Sequence, residues 1–484
     1  MNKIFSSNPE LQRNAWLELR QNRMIVMPLL IGLIYIITIV IGLHPYDKLS
    51  PLRYVSLAIF HILVSVWGTK QAADAVASEI NEKTWDRQRM TGLSPWKITI
   101  GKLFGPTLFQ WYGAIWCLGV YFLCCFSSDN FSQDVFIGLV TIFSGMFANA
   151  LGLLFSLLSI TGNQSSSFSN TKINTTFFFI MALLIGYQTS STMTIQGLLF
   201  HRNISWYGIP WGNFFNLFFV FVFLSWGVMG IYRNIRTELQ YKNDSKVWLA
   251  FIVFVIIYCF GFSFHSEFTD GINFSAFDVV FLKLNFVTYF LVSITSFLLL
   301  IERKNIVDYK MFVADFNSFN FKKLNFSSPL WLISGIVSGL FLLALATLSL
   351  VHKPDSLASD NFKIFNLISD NKREFINQHL SFFYFGVLLL LIRDIFVTRF
   401  LLYCTNFKNN ILIIVIYYAV MYAALPMVFG ANGGQLICLF YPIPFTGYSI
   451  ASFISLAFQA ALAFYIYRSS YRSKYLNIFS EHQL

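Results

Sequence analysis

The run MIVMPLLIGLIYIITIVIGL, residues 24 to 43, decides the fold class. Thirteen of its twenty residues are Ile, Leu or Val, each favouring insertion by about 0.3–0.6 kcal/mol at a helix centre. An unpaired backbone amide in hydrocarbon costs several kcal/mol, so a spanning segment is a helix or part of a closed barrel, and a run this long suits a helix. It is too long for the apolar core of a signal peptide, and no small-residue cleavage site follows. It is expected to remain as an anchor.

Eleven comparable runs follow, at 52 to 68, 103 to 126, 135 to 160, 176 to 199, 214 to 232, 247 to 264, 279 to 301, 330 to 351, 380 to 402, 411 to 430 and 447 to 467. The pattern predicts an all-α polytopic membrane protein of about 12 transmembrane helices. Composition agrees, with 56% hydrophobic and 12% charged residues among 484 and a mean hydropathy of +0.60. The chain has no room for a large soluble domain.

The net charge of +11 is spread over many loops, which argues for an orientation signal rather than a nucleic-acid footprint. About 25 of the 34 Lys and Arg lie in the termini and in loops after even-numbered runs, and about seven in the loops between. Both termini are therefore expected to be cytoplasmic, in a multi-pass protein of the cell (inner) membrane. The largest exception, loop 352 to 379, balances its four basic residues with Asp355, Asp360, Asp370 and Glu374.

Motifs for chemistry within the chain are missing. There is no GxxxxGK[ST] phosphate loop, no HExxH and no GxSxG, and Gly101-Lys102 lacks the spacing and following hydroxyl of a phosphate loop. The seven His are scattered, and the six Cys lie in or beside apolar runs without metal-type spacing. No metal or cofactor is expected in this chain, and no enzyme activity. If ATP drives the protein, a separate subunit must bind and hydrolyse it.

Loop lengths in the first six runs recur in the last six. Glu18-Leu19-Arg20 and Glu238-Leu239-Gln240 precede the first and seventh runs, while Ile231-Tyr232-Arg233 and Ile466-Tyr467-Arg468 end the sixth and twelfth. Two parallel six-helix halves are expected, 1 to 236 and 237 to 484, related by an axis along the membrane normal.

The loop from Gly68 to Lys102, GTKQAADAVASEINEKTWDRQRMTGLSPWKITIGK, is the most informative stretch for function. The second span should continue as a helix through Ala72 to Ile80. Thr84 suits the N-cap of a short helix carrying Trp85, Asp86, Arg87, Arg89 and Met90, and Gly92 suits its end. Ser94-Pro95 restarts a helix leading into the third span. The product is a helical knuckle beneath the membrane, with an exposed aromatic and several charges, shaped to dock on a cytosolic partner.

Glu82, Thr84-Trp85, Thr91-Gly92-Leu93-Ser94-Pro95 and Gly101-Lys102 resemble a pattern of the ABC type-2 transporter permease family. Asn8-Pro9-Glu10 to Arg23 looks like that family's amphipathic helix at the inner surface. The resemblance covers about 120 residues of the first half. It implies that 68 to 102 forms the coupling helix on a cytosolic ABC ATPase subunit, present in two copies, with Glu82, Thr84, Trp85, Arg87, Arg89, Ser94 and Pro95 as the docking set. The second-half loop, 302 to 328, lacks the Thr-Trp and Ser-Pro signals and is a degenerate counterpart. Typical members have six spans and pair as dimers.

Charges inside spans are costly and mark either a structural pair or a pathway. Arg393 and Asp394 in the tenth span, and Gln188 and Thr189 in the polar string of the fifth, are the candidate pathway residues. A structural pair is the simpler expectation for Arg393 and Asp394, and interfacial snorkelling for Lys283. The resulting expectation is the permease of an ABC transporter, an exporter like much of that family, moving substrate by ATP-driven alternating access. The alternative is a 12-helix ion-coupled secondary transporter.

Overall fold

The computed structural model describes residues 8–41, 50–128, 130–161, 205–211, 213–262, 276–301, 306–319, 321–351, 370–403, 410–431, 440–442 and 449–481. Among these, nine helices are long and apolar enough to cross a membrane, and two shorter apolar helices, Lys246–Gly261 and Ile413–Val428, accompany them. The protein is an all-α polytopic membrane protein, apart from a two-residue antiparallel pairing of Ser205–Trp206 with Ile209–Pro210. Each of the nine overlaps one of the predicted runs. The fifth run, 176 to 199, with Gln188 and Thr189, lies outside the described residues.

Contacts divide the chain into two compact units, Met1–Asn243 and Asp244–Leu484. In the first, a short helix α1 (Pro9–Glu18) precedes α2 (Gln21–Ile41). Helix α3 (Ser50–Phe60) passes through a π-helical stretch, His61–Gly68, into α4 (Thr69–Asn81). After α5 (Trp85–Arg89) and α6 (Pro95–Phe104) come α7 (Leu108–Cys125), α8 (Phe131–Thr161) and α9 (Asn213–Glu238). The α3–α4 rod packs on α7 and α8, α8 packs on α9, and α2 packs on α7.

The second unit has α10 (Lys246–Gly261), α11 (Ala276–Ile301), a hairpin of α12 (Ile306–Asn317) and α13 (Phe321–Ser327), α14 (Leu330–Val351) and α15 (Asp370–Tyr403). It ends with α16 (Asn410–Ala419), a π-helical stretch Val420–Ala424, α17 (Leu425–Ala431) and α18 (Ser449–Glu481). Here α11 packs on α14 and α15, α15 packs on α18, and α10 packs on α14. Among the described elements, the same pairings are found in each unit, taken separately. A polar tie recurs as well. Asn8 Nδ2, at the head of α1, donates to the Lys97 carbonyl at 2.8 Å, and Ser245, at the head of α10, donates its N–H to the Asn325 carbonyl at 3.2 Å. In both units the chain before the first apolar run is bonded to the segment leading into the third.

Close helix approach sets the crossing of α4 on α8. Thr69 Oγ1 donates to Asn149 Oδ1 at 3.2 Å in a buried setting, and a Cβ on Gly152 would lie 2.8 Å from the Thr69 carbonyl oxygen. Gly119 on α7 faces open space instead. Gly152→Ala should lower stability by on the order of 1–3 kcal/mol through overpacking, whereas Gly119→Ala should leave it unchanged or raise it by about 1 kcal/mol through helix propensity. Thermal unfolding of the detergent-solubilised chain checks both.

Candidate functional site

The knuckle forms much as its residues dictate. Helix α4 ends at Asn81, and Lys83 takes a left-handed conformation at φ 57° to turn the chain. Gly92, at φ 66°, closes the turn after α5, a backbone state glycine adopts without strain. Ser94 Oγ accepts the Lys97 N–H at 3.4 Å and Pro95 occupies the first turn, so α6 starts where the Ser-Pro pair predicts. Thr84 differs from expectation. It sits at the head of α5 in a helical conformation, which aims its hydroxyl back to donate to the Glu79 carbonyl at 3.1 Å, so it ties the turn to α4 instead of capping α5.

The tryptophan also departs from expectation. Trp85 is not the exposed aromatic of the knuckle but is 7% exposed. Its ring packs inward, with Lys102 Nζ 5.8 Å from the ring centroid. Apolar area stays out of water and the ammonium gains a cation–π partner, which is why the side chain turns in. Gln88, one turn on, is buried beside it. Glu82, Lys83, Asp86, Arg87 and Ser94 face outward, and Met90, at 84%, is the most exposed large apolar side chain of the described residues. Arg89 is half-buried, 3.5 Å from Asp86 and 4.0 Å from Glu238 at the end of α9. Thr84 and Pro95 are half-buried.

Behind the knuckle lies a cluster that the sequence did not announce. Lys102, 1% exposed, sits between two acids, with Nζ 2.9 Å from Glu10 Oε1 and in closer contact with Glu79 Oε1. Arg13 reaches the same carboxylates, at 2.7 Å from Glu79 and 3.3 Å from Glu10. Asn14 Nδ2 donates to Glu10 Oε1 at 3.4 Å, and Asn8 caps α1 by accepting the Glu10 N–H at 3.2 Å. Three elements meet at one buried cation: α1 through Glu10, α4 through Glu79 and α6 through Lys102. Glycine makes the approach possible, since a Cβ at Gly101 would stand 2.7 Å from Glu10 Cγ, and one at Gly105 would overlap Asn14 Nδ2. Burial pushes the Glu10 carboxyl up, but the Lys102 ammonium and the Arg13 guanidinium outweigh it and leave its pKa below the ordinary carboxylate value.

In the second unit Arg393 and Asp394 are buried and joined. Arg393 Nε donates to Asp394 Oδ1 at 3.0 Å and its Nη1 to Gln459 Oε1 at 2.9 Å. Tyr417 donates to Asp394 Oδ1 at 2.7 Å, and Tyr422 donates to Oδ2. Helices α15, α16 and α18 and the Val420–Ala424 stretch thus close on one hydrogen-bonded cluster. Beside it an apolar groove of about 460 Å³, lined by Val397, Phe400, Ile416, Tyr417, Met421 and Ile466, has Tyr417 in its wall. Lys283, half-buried, lies with Nζ 5.7 Å from the Phe260 ring centroid.

Comparison with protein-family models, curated proteins and solved structures finds no match.

Removing the cation should be costly because two carboxylates stay buried together. Lys102→Met is expected to lower stability by about 3–5 kcal/mol, with partial restoration by Glu79→Gln in the same chain, read from thermal unfolding. The pH dependence has a definite sign. A lowered folded pKa makes the Glu10 contribution present above the ordinary carboxylate range and lost only as pH falls through the lower folded value. The amide protection factors of residues 10 to 18 should therefore stay high through mildly acidic pH and fall only in strong acid.

Proposed function

We propose that this chain is the membrane-spanning permease of an ABC transporter, acting as an exporter, with twelve spans in two halves and both termini in the cytoplasm. ATP is bound and hydrolysed by separate cytosolic subunits. The observation that carries the reading is the α4–α5–α6 knuckle, which projects from two long helices and exposes Glu82, Lys83, Asp86, Arg87 and Met90 while its base is locked by Lys102. A docking element needs that combination. Its tip must be free to touch a partner, and its base must be stiff enough that displacement passes into the spans.

Force on α5 would travel by two routes. One is covalent, through α4 into the π-helical stretch and α3, and through α6 into α7. The other is the ion cluster, which carries α1 with the knuckle. Docking must stabilise one arrangement of the spans over the other for ATP to shift anything. Arg87 and Met90 make the partner contacts in this scheme, Arg89 braces the knuckle against Glu238, and Trp85 seats it from beneath. Exporter direction and twelve spans rest on the family resemblance and on the apolar pattern of the sequence.

An ion-coupled secondary transporter is the second reading, favoured by the buried Arg393–Asp394–Tyr422 cluster within the spans. Its acid already carries three partners, which suits a joint better than a site that gains and loses a cation.

Co-purification with candidate ABC ATPase subunits separates the two. An Arg87→Glu, Met90→Ser double variant should weaken subunit association at least tenfold, equal to about 1.4 kcal/mol, without lowering the thermal midpoint, while Trp85→Ala should lower the midpoint as well. Undiminished association of the double variant would sink the docking assignment. Substrate movement in vesicles without any ATPase subunit, abolished by Asp394→Asn, would establish the carrier.

A further inference from the structure

Among the described residues, the hairpin α12–α13 carries a run of exposed apolar side chains. Its first helix packs chiefly on its second among the described elements, yet Met311, Val313, Phe316, Phe319 and Phe326 are exposed, Phe319 by 75%. The aromatic rings form a continuous set, Phe312 to Phe316 at 6.3 Å between centroids and Phe316 to Phe319 at 6.5 Å. Phe319 holds a left-handed turn at φ 50°, which ends α12 and keeps its ring on that set. In sequence, the stretch from 302 to 328 carries Arg303, Lys304, Lys310, Lys322 and Lys323 and three acids, Glu302, Asp308 and Asp315.

Position narrows what covers such a surface. Only Ser328 and Pro329 separate α13 from α14, which is long and apolar enough to cross the membrane. Asn325 and Ser328 of the same stretch are bonded to Ser245 at the head of α10, through the Ser245 N–H at 3.2 Å and a hydroxyl pair at 2.9 Å. The hairpin is thus held where two apolar helices begin, at the height of the bilayer surface. Aromatic and aliphatic side chains among lysines match the boundary between acyl chains and acidic headgroups.

We propose that the α12–α13 hairpin is a bilayer-surface anchor that takes acidic phospholipid headgroups, its Phe and Met side chains entering the acyl boundary and its lysines resting on the phosphates. Membrane insertion of the chain suffices for this assignment; it does not depend on an ATPase partner. The second-half loop is then a lipid contact rather than a second docking element.

The full chain in nanodiscs tests it, with a spin label at Phe319→Cys or, separately, Val313→Cys, and the parent chain labelled in parallel for background. In discs of phosphatidylcholine with phosphatidylglycerol, collision with a water-soluble nickel chelate should fall severalfold relative to phosphatidylcholine alone, while collision with oxygen rises. Lys310→Glu, Lys322→Glu and Lys323→Glu together should abolish the difference and leave the thermal midpoint unchanged. Equal chelate access in neutral and acidic discs would overturn the headgroup assignment. Protection that arises only on adding an ATPase subunit would overturn the lipid and make the hairpin a protein-docking surface.

Discussion

A single ammonium group, Lys102 Nζ, holds the first unit's loop end together. It is buried and shared by Glu10 and Glu79, so three chain segments far apart in sequence converge on it. Such an arrangement adds little net stability over an apolar one, because desolvation of the charges opposes their attraction. What it adds is geometry. Each partner must occupy one place, and a displacement of α6 is felt by both α1 and α4. The exposed tip of α5 and the buried base are two aspects of one design, and the function proposed rests on their being coupled.

The helical architecture was legible because hydrocarbon leaves so few options. Runs such as 24 to 43 and 330 to 351 need no tertiary information, and the structure places spanning helices there at Arg23–Ile41 and Leu330–Val351. The Ser94-Pro95 start and the Gly92 stop were legible for a similar reason, since both act through backbone geometry within one turn. The fate of Trp85 was not. Whether an aromatic beside charges points outward or inward depends on a pocket formed by α6, and nothing local in TWDRQR reveals it.

The ion cluster escaped the sequence for the same reason. Glu10, Glu79 and Lys102 lie at separations with no periodic relation, and each alone looks like a solvated surface charge. One signal was present: Gly101 and Gly105 at four-residue spacing mark a helix face that another backbone approaches closely. The second-half loop illustrates the converse. Its sequence stood out only for the Thr-Trp and Ser-Pro signals it lacks, and the exposed setting of Phe316 and Phe319 became evident in the structure alone.

The π-helical stretch at His61–Gly68 sets the angular phase of everything below it. At about 100° per residue, a purely α-helical path would leave Val76 roughly 160° around the axis from Phe60. Both are fully buried, so one side of the rod must stay turned inward along its whole length. Wider i→i+5 winding turns less per residue and absorbs most of that angle. The stretch therefore sets the phase between the α3 and α4 parts of the rod. Tightening it into α-helix is, in effect, a rotation of Glu79 about the axis and off the cation it grips.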